Sequence, residues 1–306
     1  MRTSTANPDQ KPRVSVVITS YNHAQFLETR IRSILNQSYQ NFELLILDDC
    51  STDNSHNVIL QFPWDREYQY IRNEKNSGSP FLQWQRGALT CQSDYLWIAE
   101  SDDSSDPNFL ERTLEQIQSD DQISMAYCQS LGIDANGAET WKYIDWTNDL
   151  DPERWTSSFV VDGKEFVRNY LLRKCAIPNV SSVLFRTSAL RSCRFPDPWI
   201  RHYGDWLIYA QVAWQGKVGF VDAELNLFRG HAQTQRARSS INHFKEYRHV
   251  VHQLGRTYAG HLTAQEKQDL RAHHIQQMLK SGHSSNLIRR YQNRLKARLS
   301  LLPYCL

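Results

Sequence analysis

A short apolar run that breaks directly into acidic residues constrains this chain more than any other feature. Residues 95–99 have the composition of a buried β-strand, and the run Glu100-Ser101-Asp102-Asp103 follows at once. Open α/β sheets place their ligand crevice at such carboxyl ends of strands. Adjacent carboxylates repel one another, so burying them together favours a divalent metal with oxygen ligands. The alternative is an acidic helix N-terminus that only complements the helix dipole.

The acidic stretch belongs to a regular alternation of strands and helices. Residues 14–19, 43–47 and 68–71 have strand composition, and segments with helical spacing separate them. This order predicts an α/β fold with a mostly parallel, Rossmann-like sheet flanked by helices. The first two strands end in the polar pairs Tyr21-Asn22 and Asp48-Asp49. One carboxylate pair can therefore accept hydrogen bonds from a base or ribose, while the other holds a metal on a diphosphate.

Several common ligand motifs are missing from the sequence. No GxGxxG follows the first strand, which argues against a nicotinamide or flavin oxidoreductase. The sequence also has no GxxxxGK[ST] phosphate loop and neither GxSxG nor HExxH. Any phosphate group must therefore be held in another way.

The composition indicates a globular protein of the cytoplasm. Of 306 residues, 40% are hydrophobic and 22% are charged, and no apolar run is long enough to span a membrane. The polar leader, residues 1–12, lacks the apolar core of a secretory signal. The six cysteines show no CxxC spacing, which predicts buried free thiols in a reducing compartment rather than a zinc site.

Positive charge is concentrated at the carboxyl end. The net charge is +2, but residues 231–306 carry 13 Lys and Arg against 3 Asp and Glu, and residues 236–306 are predicted to form a basic helical region. Its last helix has one apolar stripe, formed by Leu287, Tyr291, Leu295, Leu299 and Leu302. Such a helix can lie peripherally on an anionic membrane, or its stripe can dock on the rest of the protein. The basic positions do not match a nucleic-acid-binding module, so no nucleic-acid partner is expected.

An ordered set of motifs carries a resemblance to a known family. The motifs are VVITSYN (16–22), ILNQSY (34–39), LDDCSTD (47–53), NSG (76–78), RGA (86–88), ESDD (100–103), GDW (204–206) and FRGH (228–231). Together they resemble a family-2 inverting glycosyltransferase with the GT-A fold. The resemblance implies a catalytic domain over residues 13–235, with a nucleotide-binding half (13–110) and an acceptor half (111–235).

The resemblance assigns the first strand ends to the nucleotide. It implies that Asp49, and less surely Asp48, accepts a hydrogen bond from a uracil or thymine edge. A carboxylate that accepts from a ring N–H rejects bases that lack this donor. The alternative for Asp48 is a turn-forming residue. The other implied nucleotide-binding residues are Thr19, Tyr21, Asn22, Asn76, Gly78 and Arg86.

The resemblance also implies a metal ion, Mg²⁺ or Mn²⁺. Asp102 matches the family's metal-binding aspartate, and Asp103 and His231 match positions that assist it in some relatives. The family motif is Asp-x-Asp, whereas this chain has Glu100, which is expected to reach the donor sugar or a metal-bound water. Ser101 and Arg229 are assigned to the donor sugar and diphosphate, because an arginine fork suits phosphate oxygens.

Asp205 falls where the family places its general base. Inversion at the anomeric carbon needs a carboxylate on the face opposite the leaving nucleotide, and a positioned base contributes about 10²–10⁴-fold in rate. The family often has Glu-Asp here, whereas this chain has Gly204. The alternative is that Asp205 only caps the helix that follows it.

The sequence gives less information about the residues that would bind the acceptor. Indole rings are good platforms for sugars, since they combine apolar area with a polar N–H. Four tryptophans are candidates: Trp141, Trp146, Trp155 and Trp206. The alternative is a hydrophobic cluster beneath a long loop.

The sequence therefore predicts a metal-dependent inverting glycosyltransferase. Its expected partners are a nucleotide-diphosphate sugar, with UDP first, and a sugar or lipid-linked hydroxyl acceptor in cell-surface polysaccharide or glycoconjugate synthesis. The expected location is the cytoplasm or the inner face of the cytoplasmic membrane. The rivals are an inactive sugar-nucleotide-binding scaffold and a sugar nucleotidyltransferase, although the latter would need a Gly-rich basic loop after the first strand.

Overall fold

The computed structural model describes residues 13–231 and 240–280. The strands are β1 (Val14–Ser20), β2 (Phe42–Asp48), β3 (Gln69–Arg72), β4 (Tyr95–Glu100), β5 (Ser104–Ser105), β6 (Ile123–Ile133), β7 (Glu139–Lys142), β8 (Phe159–Asp162), β9 (Val183–Arg186) and β10 (Lys217–Arg229). The helices are α1 (Ala24–Leu35), α2 (Ser55–Gln61), α3 (Pro80–Thr90), α4 (Phe109–Gln118), α5 (Ile144–Thr147), α6 (Gly163–Phe166), α7 (Thr187–Arg191), α8 (Gly204–Trp214), α9 (Ser240–Tyr258) and α10 (Ala264–Lys280). The predicted leader (1–12) and the apolar stripe within 287–302 lie outside the described residues.

These strands form one sheet in which the predicted parallel half is intact. Its order is β3-β2-β1-β4-β9-β6-β10-β5, with β7 on β6 and β8 on β10. Strands β3, β2, β1 and β4 are parallel, so their carboxyl ends lie along one edge. Because the second and fourth of these strands end in acidic residues, both carboxylate pairs reach the same edge.

Strand β9 joins the two halves of the sheet. It pairs antiparallel with β4 on one side and with β6 on the other. A 3₁₀ turn, Val180–Ser182, precedes it and closes on the end of β4. The Trp97 indole N–H donates to the Ser181 carbonyl at 2.8 Å, and the Glu100 N–H donates to the Ser181 hydroxyl at 3.1 Å. The turn before β9 thus holds the end of β4 through two hydrogen bonds.

Two apolar cores cover the two faces of the sheet. Val16 and Ile18 point into one core with α1 and α4, whereas Val17 points into the other with α3, α8 and α9. Consecutive residues of β1 therefore face opposite layers, and all are buried. This explains why the strand is an uninterrupted β-branched run.

The carboxyl-terminal helices pack against the second core. Val250, Leu254 and Tyr258 of α9 are buried, and so is Leu270 of α10. The His274 Nε2 lies 2.7 Å from the Leu172 carbonyl, and its Nδ1 lies 2.9 Å from the Tyr247 hydroxyl. The predicted helical extension therefore begins as two docked helices. Within the described ranges, no helix combines the length and apolarity that crossing a bilayer requires.

The buried imidazole of His274 predicts a pH dependence of stability. Burial lowers its pKa to about 4, whereas the unfolded value is about 6.5. The unfolded chain therefore binds the proton first, so this contribution is complete above pH ~6.5 and is lost as the pH falls toward ~4. Between pH ~7 and ~5, the wild type should lose about 2 kcal/mol more unfolding free energy than His274→Gln. Urea unfolding of both proteins at each pH measures this difference, and parallel losses would contradict the prediction.

Candidate active site

Asp103 is a structural carboxylate at the end of β4. It is 1% exposed, and its two oxygens accept hydrogen bonds from the Asn179 amide at 2.6 Å and the Arg229 backbone N–H at 3.0 Å. Burial, together with the charge of Asp102, raises the pKa of Asp103 to about 6. Asp103 thereby ties the end of β4 to the end of β10.

Asp102 faces two histidines. The His231 Nε2 lies 3.1 Å from one Asp102 oxygen, and the His23 Nδ1 lies 3.9 Å from the other. Burial alone would raise the pKa of Asp102, but it is lowered because both histidines favour the ionised carboxylate. The His23 Nδ1 also lies 2.8 Å from the Ser101 hydroxyl, so Ser101 lies beside this group, and its assignment to the donor stays a prediction.

The pKa of Glu100 links the acidic cluster to Asp205. It is raised well above the usual range by burial and by the negative charges of Asp102, Asp103 and Asp205. Asp205 is carried by α8, more than a hundred residues away in the sequence. The negative charge of Asp205 therefore acts on Glu100 at the end of β4. The predicted general base and the predicted metal site thus belong to one electrostatic cluster.

Lack of space explains why residue 204 is a glycine. A Cβ at this position would lie 2.5 Å from the Phe81 ring, closer than real contacts allow. Helix α8 begins at Gly204, so Asp205 is its second residue and accepts a hydrogen bond from the Trp206 N–H at 2.8 Å. The departure from the family's Glu-Asp thus reflects packing against α3 and leaves the aspartate in place.

Asp49 organises the loop between β3 and α3. Its carboxylate is 5% exposed and accepts five hydrogen bonds from this segment. The donors are the Asn73, Asn76 and Gln83 amides and the Ser77 N–H and hydroxyl. A carboxylate has about four acceptor sites, so a base N–H would have to replace one of these donors.

Asp48 has the turn role that was its alternative. It is fully buried, accepts from the Ser51 N–H at 2.9 Å and the Tyr70 hydroxyl at 3.1 Å, and pairs with Arg72. Its oxygens are therefore turned away from solvent toward β3. The contact with a nucleobase edge therefore stays a prediction for Asp49.

The remaining nucleotide-binding candidates lie around the same two strand ends. Asn22, at φ 56°, accepts from the Thr52 N–H at 2.7 Å, so its side chain bridges the first two loops. Asn76 donates to Asp49 and accepts from the Gly78 N–H at 2.8 Å, and Gly78 adopts φ 73°. Arg86 donates to Asn73, which in turn donates to Asp49.

Two further residues of this set lie at the end of β1. Thr19 is 8% exposed, and its carbonyl accepts from the Ser101 N–H at 3.1 Å. The Tyr21 ring is 40% exposed and is available for stacking on a planar ligand.

Arg229 is a clamp rather than an open phosphate ligand. It is 5% exposed, and its guanidinium donates to the carbonyls of Asp102, Asp134 and Ala135. Because its Nε and Nη1 donate to these carbonyls and the residue is 5% exposed, the structure does not support the expectation that Arg229 binds the diphosphate.

Two of the four candidate acceptor tryptophans are core residues. Trp155 and Trp206 are each 2% exposed, and their indole N–H groups donate to the Tyr127 hydroxyl and the Leu171 carbonyl. Neither can present a face to a sugar, so their assignment to the acceptor is wrong. Trp141 and Trp146 are 40% and 46% exposed and stay predicted acceptor contacts.

Two residues near the site were not predicted from the sequence. His23 directly follows the first polar strand end, so the rule that selected Tyr21 and Asn22 could have included it. Glu246 of α9 is 3% exposed and accepts from the Arg201 and His202 N–H groups at 2.9 and 2.8 Å, with His202 Nδ1 at 3.0 Å. It therefore holds the loop that leads into α8 and Asp205. One carboxylate within a basic region gave no signal of this role.

Known proteins resemble this chain in sequence and in structure. Residues 15–191 match the model of the Glycosyl transferase family 2. The chain is 34% identical over 106 residues to the putative teichuronic acid biosynthesis glycosyltransferase TuaG of Bacillus subtilis, covering 34% of this chain and 42% of that protein. It is 27% identical over 227 residues to an uncharacterized glycosyltransferase of Nostoc sp., covering 72% of this chain and 65% of that one. The chain thus spans less than two thirds of each of these relatives.

Solved structures show the same fold. The structure of Staphylococcus aureus TarS 1-349 in complex with UDP-GlcNAc superposes with a TM-score of 0.64 at 15% identity, covering 79% of this chain and 65% of that one. The predicted GT-A type α/β fold with helices at its carboxyl end is confirmed.

The contacts of Glu246 predict a measurable loss of stability. Glu246→Ala should lower the free energy of unfolding by about 3 kcal/mol, because each buried N–H left without an acceptor costs about 1–3 kcal/mol. Glu246→Gln retains one acceptor oxygen and should lose less. Urea unfolding measures both, with the exposed Asp269→Asn of α10 as the control, expected within about 0.5 kcal/mol of wild type. Equal stability of Glu246→Ala and the control would contradict the role of Glu246.

Proposed function

The chain belongs to the Glycosyl transferase family 2, and from that premise we propose that it is an inverting glycosyltransferase. It would move a sugar from a nucleotide-diphosphate donor, with a UDP-sugar as the first choice, to a hydroxyl acceptor. The observation that carries this proposal is that the negative charge of Asp205 is close enough to Glu100 to help raise the pKa of that carboxyl group. Inverting transfer needs a general base on one side of the reacting carbon and a site for the leaving diphosphate on the other.

Donor binding is assigned to the strand ends of the parallel half. Asp49 lies at the centre of five hydrogen bonds, so its carboxylate is held in one orientation before a nucleotide arrives. Exchange of one loop donor for a uracil N–H would keep this acceptor satisfied and would disfavour bases without that donor. The exposed ring of Tyr21 would stack on the base.

Asp205 is proposed as the general base. Its carboxylate would take the proton of the acceptor hydroxyl as the acceptor oxygen bonds to the anomeric carbon. The bond from that carbon to the phosphate oxygen breaks at the same time, and its electron pair leaves with the nucleotide diphosphate. Asp205 lies in the first turn of α8, where the positive end of the helix dipole interacts favourably with a carboxylate.

A divalent cation, Mg²⁺ or Mn²⁺, fits the chemistry of the donor set around Asp102. Carboxylate and imidazole ligand atoms lie within 4.8 Å of one another at this point. Such a cation would supply positive charge that stabilises the departing diphosphate. Asp102 would hold it, and the neighbouring side chains would orient Asp102 beforehand.

The acceptor is proposed to be a sugar or a lipid-linked sugar of a cell-surface polysaccharide or glycoconjugate. The name of the relative TuaG, which refers to teichuronic acid biosynthesis, supports this class. Trp141 and Trp146 are partly exposed and carry rings of the kind that sugars bind, with Lys174 covering one face of Trp146 at 3.8 Å. The corresponding location is the cytoplasm or the inner face of the cytoplasmic membrane.

An inactive sugar-nucleotide-binding protein is the second candidate, since Glu100 replaces the usual aspartate. Gly204, the other departure from the family pattern, has its own packing reason and no longer favours this alternative. The test below distinguishes the two functions.

The base assignment predicts the behaviour of Asp205→Asn. With UDP-sugars and Mn²⁺, the wild type should release UDP, and Asp205→Asn should lower this rate about 10²–10⁴-fold because proton removal is lost. The affinity for UDP, measured by calorimetry, should stay within about twofold. Asp197→Asn, an exposed residue before α8, is the matched control and should turn over like wild type.

The outcomes of this experiment separate the proposals. An unchanged rate in Asp205→Asn would show that another group is the base. Wild-type binding of UDP without any release from UDP-sugars would favour the inactive binding protein. Absence of any nucleotide binding would overturn both.

A further inference from the structure

Arg201 lies where the loop before α8 meets the loop between β3 and α3. A Cβ at Gly78 would lie 3.4 Å from the Arg201 Nη2, so the guanidinium lies beside this glycine. Gly78 directly follows Asn76 and Ser77, which both donate hydrogen bonds to Asp49. Along the chain, Arg201 precedes the proposed general base by four residues. Its side chain therefore lies between the predicted nucleotide pocket and the start of α8.

The backbone that carries Arg201 is held in place. Glu246 of α9 is 3% exposed, and one of its oxygens accepts from the Arg201 N–H at 2.9 Å and from the His202 N–H at 2.8 Å. The starts of α3 and α8 are also in contact, because the Phe81 ring packs against Gly204. The guanidinium is thus positioned by contacts that do not use its own donors.

The guanidinium of Arg201 is available to a ligand. Arg201 is exposed, and within residues 13–231 and 240–280 its guanidinium makes no hydrogen bond or ion pair. Other arginines around the site differ in this respect. Arg229 and Arg30 donate to groups near the end of β4, and Arg86 donates to Asn73. Of these four arginines, Arg201 is the one that can take an anion without giving up such a contact.

The chemistry of a nucleotide-diphosphate sugar indicates which anion would lie here. The diphosphate stands between the base, which is assigned to Asp49, and the anomeric carbon, where Asp205 would act. Arg201 lies between the same two residues. The carboxylates at the end of β4 would repel a diphosphate, so positive charge on this side of the site favours its binding. A planar guanidinium matches phosphate oxygens with two parallel N–H donors.

We propose that Arg201 binds the diphosphate of the donor, the role that was expected of Arg229. Two N–H groups of its guanidinium would donate to phosphate oxygens, and its positive charge would stabilise the diphosphate as it leaves. The identity of the ligand rests on the proposed function. Binding of the diphosphate needs no turnover, so it can be measured separately from transfer.

Calorimetric titration of the full chain with UDP and with uridine, both with saturating Mn²⁺, tests this inference. Arg201→Gln should weaken UDP binding about 10–100-fold, because charge-assisted hydrogen bonds to phosphate are lost. Its affinity for uridine, which has no phosphate, should stay within about twofold of wild type. Arg201→Lys keeps the charge without the planar fork and should fall between the two. These variants keep the backbone N–H that donates to Glu246, so the fold is preserved.

The matched control is Arg194→Gln. Arg194 is an exposed arginine of the same segment, and its N–H donates to Gln211 at 2.9 Å, in the second half of α8 and away from Asp205. Its removal should leave the affinities for UDP and uridine as in wild type. A general effect of lowering the positive charge of this segment would instead weaken UDP binding in both variants.

Several results would overturn the inference. Wild-type affinity for UDP in Arg201→Gln would exclude the contact, and equal losses for UDP and uridine would place the side chain at the base. Unchanged UDP affinity with a raised KM for the acceptor would assign Arg201 to an anionic group of the acceptor. No UDP binding by the wild type would overturn the inference and the donor assignment together. Failure of transfer alone would look different, since UDP would bind through Arg201 while no UDP-sugar turned over.

Discussion

Mutual repulsion among neighbouring carboxylates is the constraint on which the site depends. Glu100, Asp102 and Asp103 come together at the end of β4, and the protein stabilises each in a different way. Asp103 accepts hydrogen bonds from Asn179 and the backbone of Arg229. Asp102 faces two imidazoles, and burial together with the neighbouring negative charges raises the pKa of Glu100. Beneath them, the buried guanidinium of Arg30 donates to the Glu100 carbonyl and the Ser105 hydroxyl.

The parts of the fold that follow from local pattern were predictable from the sequence. The strand of Val14–Ser20 agrees with the expected range to within a residue, and the helix of Ala24–Leu35 follows it as the helical spacing predicts, because buried β-branched runs and helical spacing are local signals. The convergence of the acidic strand ends also followed, since parallel strands share one carboxyl edge.

What could not be predicted depends on contacts between distant residues. The segment around Trp155 is polar and Trp206 directly follows an aspartate, yet both side chains are buried and hydrogen-bonded, because partners far away in sequence cover them. Arginine is a residue type that suits phosphate, but the guanidinium of Arg229 donates hydrogen bonds to three backbone carbonyls instead. Polar residue type indicates which interactions are available, whereas burial decides which of them are made.

Strand β9 has a consequence for how the chain forms. It lies between β4 and β6, so residues 13–110 alone would leave β4 as an uncovered edge with apolar side chains on both faces. Exposed edges of this kind invite pairing with other chains. On the ribosome, we expect the amino-terminal half to remain dependent on chaperones until residue 186 has emerged. The predicted nucleotide-binding half (13–110) and acceptor half (111–235) are therefore not expected to fold as two independent units.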